Sequence, residues 1–138
     1  MSEEFILPKS PVKAGFLSAF IPGAGQIYNE KYLKAAVFIS GQSFLISQTI
    51  SFDHQMQAAK RKRNGYDSNE SPEEYYRLNN EYNAHWRSRQ SFIFWIGTSV
   101  LLSSIEAYVD AHLINFNEKK NEIRLKFEED KIIVSFIF

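Results

Sequence analysis

Cysteine is absent from this 138-residue chain, which excludes a disulfide framework, a thiolate metal site and a cysteine nucleophile. A surplus of either charge is absent too. With 16 Lys and Arg against 16 Asp and Glu, the basic excess on which phosphate binding rests is missing, and this argues against a nucleic-acid protein. Proline is scarce, with 4 residues and none after Pro72, and the only glycine beyond that point is Gly97. Few breakers mean long helices. The length fits one domain, and the mean hydropathy of -0.32 is that of a soluble protein.

The average conceals where the charges lie. Three windows carry none: Ala14 to Asn29, Ala35 to Phe52 and Gln90 to Ile105, of 16, 18 and 16 residues. At about 1.5 Å per residue each covers roughly 24–27 Å, slightly less than a hydrocarbon core of about 30 Å. Lys31 and Lys34 before the second window, and Arg87 and Arg89 before the third, must then snorkel to complete a span. The second window carries Ser40, Gln42, Ser43, Ser47, Gln48, Thr49 and Ser51, which suits a helix packed against protein more than one facing lipid on all sides. The run Phe92 to Leu102 has no polar stripe beyond Thr98 and Ser99, and Tyr28, Tyr32, Trp86 and Tyr108 lie near window edges as an interfacial belt would. A soluble helical domain whose core is made of these windows is the alternative.

Local signals divide the chain. Met1 to Lys13 lacks the order of a secretory signal, and Pro8 and Pro11 keep it extended. A short helix is expected from Val12 to Ile21, ended by Pro22 and the Gly23-Ala24-Gly25 turn. It is too short to span, so it is half-inserted or interfacial, or it extends through the turn to Tyr28. A second helix from about Lys31 ends at Lys60 to Arg63, where basic side chains complement the helix terminus and Asn64-Gly65 stops it. Ser71-Pro72-Glu73-Glu74 reads as an N-cap, a first-turn proline and a capping box. A third helix can run from Pro72 to about Ile114. The two long helices form an antiparallel hairpin whose polar part, about 53–89, is a stalk with its tip at Asn64 to Ser71. Residues 1–117 are thus a helical membrane domain. In 118–138, Ile123, Leu125 and Phe127 alternate with Arg124 and Lys126, Glu128 to Lys131 turns, and Ile132 to Phe138 is β-prone, which predicts a C-terminal β-hairpin. The fold class is mainly α, with that hairpin packed on the helices or on a neighbour, since one hairpin closes no barrel.

Two clusters carry polar groups at the window edges. In Pro22-Gly23-Ala24-Gly25-Gln26-Ile27-Tyr28-Asn29, the pair Gly23 and Gly25 lacks the third glycine or the Lys-Ser/Thr of a phosphate loop. Its glycines are better read as allowing close backbone packing, with Gln26, Tyr28 and Asn29 offering hydrogen bonds. In the second cluster helical spacing sets Glu106 and Asp110 on one face, with Tyr108 and His112 on a neighbouring one. Such groups beside an apolar helix need partners. In one reading Asp110 and His112 bond to Gln26, Tyr28, Asn29 or Lys31 and clasp the turn to the third helix. In the other, Glu106, Asp110 and His112 bind a cation or move a proton. A metal centre is poorly supported, since one helix supplies few ligands and His54 and His85 belong to the stalk.

With "SPVKAGFLSAFIPGAGQIYNEKYLKA" at one end and "AYVDAHLINFN" at the other, the chain resembles a bacterial membrane-protein family known only as a domain of unknown function. Its pattern is Pro-Gly-x-Gly-Gln-x-Tyr-Asn, a Lys-Tyr-x-Lys segment, and later Asp-Ala-Tyr-Val-Asp-Ala-His-Leu. Pro22, Gly23, Gly25, Gln26, Tyr28, Asn29, Lys31, Tyr32 and Lys34 match the first part, and Ala107 to Leu113 match the last. Glu106 stands where the family has Asp. The first motif is distantly similar to the two-transmembrane domain. The resemblance implies an integral membrane protein with paired helices and a polar middle segment, and it implies no catalytic activity. The expected place is the bacterial envelope, the inner membrane before the outer, with no catalytic residues and no cofactor. The expectation is therefore a non-enzymatic membrane protein that acts structurally or by interaction. The lipid bilayer is its first partner. A second copy or another envelope protein would meet the stalk and the C-terminal hairpin. A cation- or proton-handling protein and a soluble helical binding module are the alternatives.

Overall fold

The computed structural model describes the backbone of residues 8–137 and the side chains of residues 8–131. The elements are α1 (Pro11–Phe20), α2 (Ala24–Tyr28), α3 (Tyr32–Arg63) and α4 (Pro72–Ile137). They form two compact units, one of residues 8–35 with 103–137 and the other of residues 36–102.

In the first unit Ser10 caps α1, its hydroxyl accepting from the Lys13 N–H, with Pro11 at a position where the missing N–H costs nothing. The helix stops at Phe20 because Ile21, preceding Pro22, takes extended backbone. Gly23 then adopts φ 88°, the left-handed conformation only glycine takes freely, and α2 starts behind it. The segment neither turns back as a simple loop nor continues as one helix. At its other end the Lys31 N–H bonds the Gln26 carbonyl and the Glu30 N–H bonds that of Ile27, the paired bonds of a Schellman stop. The left-handed residue of that stop is Glu30, at φ 62°, where glycine is usual.

In the second unit α3 and α4 pair antiparallel. Asp53 holds Arg89 at 3.1 Å, and Arg63 bonds Asn79 at 2.8 Å while its guanidinium lies over the Tyr82 ring. Phe52 stacks on Phe92, and Met56, Ala59 and Leu78 are buried. The tip between them turns at Asn64-Gly65, and α4 begins at Pro72 as expected. Glu74, however, accepts from Arg77, at 2.7 Å in its closer bond.

The predicted C-terminal β-hairpin is overturned: α4 continues to Ile137, through the boundary expected at 117/118, and the described residues contain no strand. No proline or glycine follows Gly97 to end the helix. An alternation of five residues is also too short to exclude helix. Ile123 and Phe127, four apart, share one helical face, and Lys126 pairs with Glu122 one turn back at 3.5 Å.

Candidate polar clasp

The site lies wholly in the first unit and is built on one face of α4. Ser103, Ala107 and Ala111, each four residues from the next, are fully buried, so a small-residue groove runs along the helix. Ala14 and Ser18 of α1, with the same spacing, are fully buried as well. The α1–α2 segment approaches through Gly25. A Cβ there would overlap the Ala14 carbonyl oxygen and the Ser18 hydroxyl and would lie 2.7 Å from the Ala107 methyl. Only hydrogen fits.

That approach brings side-chain amides onto the α4 main chain. Gln26, fully buried, donates from Nε2 to the Ser103 carbonyl at 2.9 Å. Its Oε1 accepts from the Ser18 hydroxyl at 2.9 Å and from the Ser103 hydroxyl at 3.4 Å. The Gly25 N–H donates to Ser18 Oγ and the Gly23 N–H to Ser103 Oγ, so two N–H groups of the glycine turn end on serine hydroxyls. One turn along α4, Asn29 donates from Nδ2 to the Ala107 carbonyl at 2.8 Å. A helix carbonyl keeps a second lone pair, and these two amides use it. Each such bond contributes about 1 kcal/mol net, and an unmade one at a buried site costs about 1–3 kcal/mol, so the set discriminates strongly against other packings.

Beyond the amides come the charges. Lys34, on the first turn of α3, reaches both carboxylates of the α4 motif: Glu106 at 2.8 Å and Asp110 at 2.9 Å and 3.1 Å. Asp110 is nearly buried, whereas Lys34 and Glu106 are partly open. A second tie uses Asn115, which donates to the Lys9 carbonyl at 2.7 Å and accepts from the Lys9 N–H at 3.0 Å. The Lys9 ammonium bonds Glu30 at 2.9 Å and lies over the Tyr28 ring, whose hydroxyl accepts from the Ser10 N–H. The hydrogen bond between them holds Glu30 below its ordinary 4.5 and Lys9 above its ordinary 10.5.

Of the residues read from the sequence, Gly23, Gly25, Gln26, Tyr28 and Asn29 thus meet α4 or the segment before α1. Pro22 sets the break without a polar contact to make. Glu106 and Asp110 converge on Lys34 and not on the glycine turn. Tyr108 and His112 pack on each other, ring centroids 4.8 Å apart, and both are exposed. Ser18, Ser103, Lys34 and Asn115 were missed as contributors. The four-residue spacing Ser103-Ala107-Ala111 was the available signal for the groove. Among the described residues no three His, Asp or Glu side chains converge to hold a metal ion.

The fold and site define a helical protein in which a short helix-turn-helix is locked to the small-residue face of a long helix. The chain belongs to a family of unknown function, DUF5683, whose model matches residues 7–132. No curated protein and no solved structure matches the chain.

Proposed function

We propose that this is a non-enzymatic integral membrane protein with a scaffolding role, in which α3 and α4 cross a bilayer and the clasp fixes the α1–α2 segment to them. One observation carries the reading. Both helices are long and apolar enough to cross a membrane, and only 11% of each apolar 18-residue window is buried within the protein. Val37, Phe44, Ile50, Phe94, Trp95 and Leu101 all face outward, and lipid is a cover that removes such a surface from water. The polar side chains of α3 suit this setting, since Ser40, Ser43 and Thr49 return their hydroxyls to carbonyls of the preceding turn. The exposed Phe16 and Phe20 of α1, and the apolar groove of about 410 Å³ between Val12, Phe16, Ile105 and Tyr108, extend the same character to the first unit. A structural role for the motif residues rests on Lys34, which already compensates the carboxylates a cation would need.

Membrane fractions washed with alkaline carbonate test the reading. The chain should stay with the lipid and be released only by detergent, and cysteines placed at the tip, 64–71, should label from one side of the membrane alone. A monodisperse monomer purified without detergent would overturn it.

A further inference from the structure

The last described part of α4 carries a pattern that neither the clasp nor a membrane span uses. Every residue from 119 to 131 is exposed. Leu113, Phe116, Ile123 and Phe127 are 53–71% exposed, and their spacings of 3, 7 and 4 are those of an a/d seam with Lys120 at the remaining a position. At about 100° per residue, Phe116, Ile123 and Phe127 fall within about 40° of one another, and Leu113 lies about 40° beyond Phe127. The charges are sorted around this seam. Lys119, Arg124, Lys126 and Lys131 occupy its flanking g and e positions, while Glu118, Glu122, Glu128 and Glu129 lie on the far side.

We infer that this face, residues 113–131, docks an acidic amphipathic helix of another protein in coiled-coil fashion. Its flanks decide the partner. A second copy in parallel would set Lys119 against Arg124 and Lys126 against Lys131, and an antiparallel copy would oppose g to g and e to e. All of these are like-charge pairs. A bilayer surface calls for an apolar arc of about 100° or more, wider than the roughly 80° this seam covers, and the seam also contains Lys120 and ends at Asp130. A helix with apolar a and d residues and Glu or Asp at e and g buries the seam and neutralises both flanks. Lys120 then meets a partner carboxylate and fixes register, as a single polar a residue does.

The full chain in phosphatidylcholine nanodiscs is titrated with two fluorescent synthetic helices, each with Leu at a and d, one with Glu and the other with Lys at e and g. The Glu peptide should bind at least tenfold tighter, and more weakly as salt rises. The Lys119→Glu/Lys126→Glu chain should invert the preference. Phe127→Asp should abolish binding with helicity by circular dichroism unchanged, since the side chain is exposed. Equal affinity for the two peptides, or none for either, overturns the proposal. So does self-association through this face, or loss in Phe127→Asp of binding to phosphatidylserine vesicles in place of peptide binding. None of these results bears on whether carbonate leaves the chain in the membrane, so the two readings fail separately.

Discussion

Gly25 lies against Ala107 so closely that a Cβ on the glycine would stand 2.7 Å from the alanine methyl. The contact couples the α1–α2 turn to α4, and it makes the two glycines of this region unequal. A Cβ on Gly15 would meet Ser104 and Tyr108 at 3.5–3.6 Å, an ordinary distance. Gly25→Ala should therefore cost about 3 kcal/mol or unfold the first unit, because main chain has to move. Gly15→Ala should be neutral or add about 0.5–1 kcal/mol from helix propensity. Thermal unfolding in detergent, compared for the two variants, checks the contrast.

The amides and the charges of the clasp share no partner: Gln26 acts on Ser18 and Ser103, Asp110 on Lys34. The effects of Gln26→Ala and Asp110→Ala should then add, although a single network linking them is what the sequence suggests. Lys34→Met and Asp110→Asn should couple by about 1–2 kcal/mol, less than a fully buried pair would, because Lys34 remains 42% exposed. Two double-mutant cycles on unfolding midpoints decide this. Coupling between Gln26 and Asp110 would return the single-network reading.

Glu30 combines a left-handed backbone with an exposed ion pair to Lys9. Replacing it by alanine loses the pair and keeps the strain, whereas glycine loses the pair and relieves it, so Glu30→Gly should melt above Glu30→Ala at every pH. The pair itself has a pH window. With Glu30 held below 4.5 and Lys9 above 10.5, its stabilisation is present between those values. It disappears as pH falls through the depressed carboxyl pKa or rises through the elevated lysine one. The difference in melting temperature between wild type and Glu30→Gln, followed across pH, should be small throughout and vanish at both ends.

Gln42 is buried in the second unit with its Oε1 lacking a hydrogen-bond partner among the described residues. An unsatisfied buried carbonyl costs about 1–3 kcal/mol, so Gln42→Leu, similar in bulk, should raise stability by about 1 kcal/mol. A lower melting temperature for this variant would show that the carbonyl is engaged.

Where α3 and α4 begin, and where α1 and α3 end, was legible because short-range chemistry sets those points. Ser71-Pro72 starts a helix, Pro22 stops one, and Asn64-Gly65 stops another. The start of α1 was not, since Pro11 reads as keeping the chain extended and stands instead in the first turn behind the Ser10 cap. The end of α4 was not legible. Ile123, Leu125 and Phe127 satisfy a period of two as well as they satisfy a helix, and local preference for either is overridden by the absence of any breaker after Gly97. The candidate site divides in the same way. Its residue types could be picked out from the glycine turn and the 106–112 motif, but the pairing could not. Lys31 and Lys34 are one helical turn apart, and choosing Lys34 for Asp110 depends on the direction α3 takes after the Schellman stop at Glu30.

By itself, then, the sequence determined the helical class, the three charge-free windows and the polar residues of the glycine turn and the 106–112 motif, since periodicity, breakers and charge act within a few residues. Only the tertiary structure decided that Gln26 and Asn29 bond main-chain carbonyls of α4, that Lys34 holds both carboxylates, and that the chain after Phe116 is a helix with an open apolar seam. The clasp bonds of Gln26, Asn29 and Lys34 to Ser103, Ala107 and Asp110 join groups 76 to 78 residues apart in the chain, and the tie between Lys9 and Asn115 joins groups 106 apart. No local pattern encodes which of several chemically adequate partners the packed backbone brings within 3 Å.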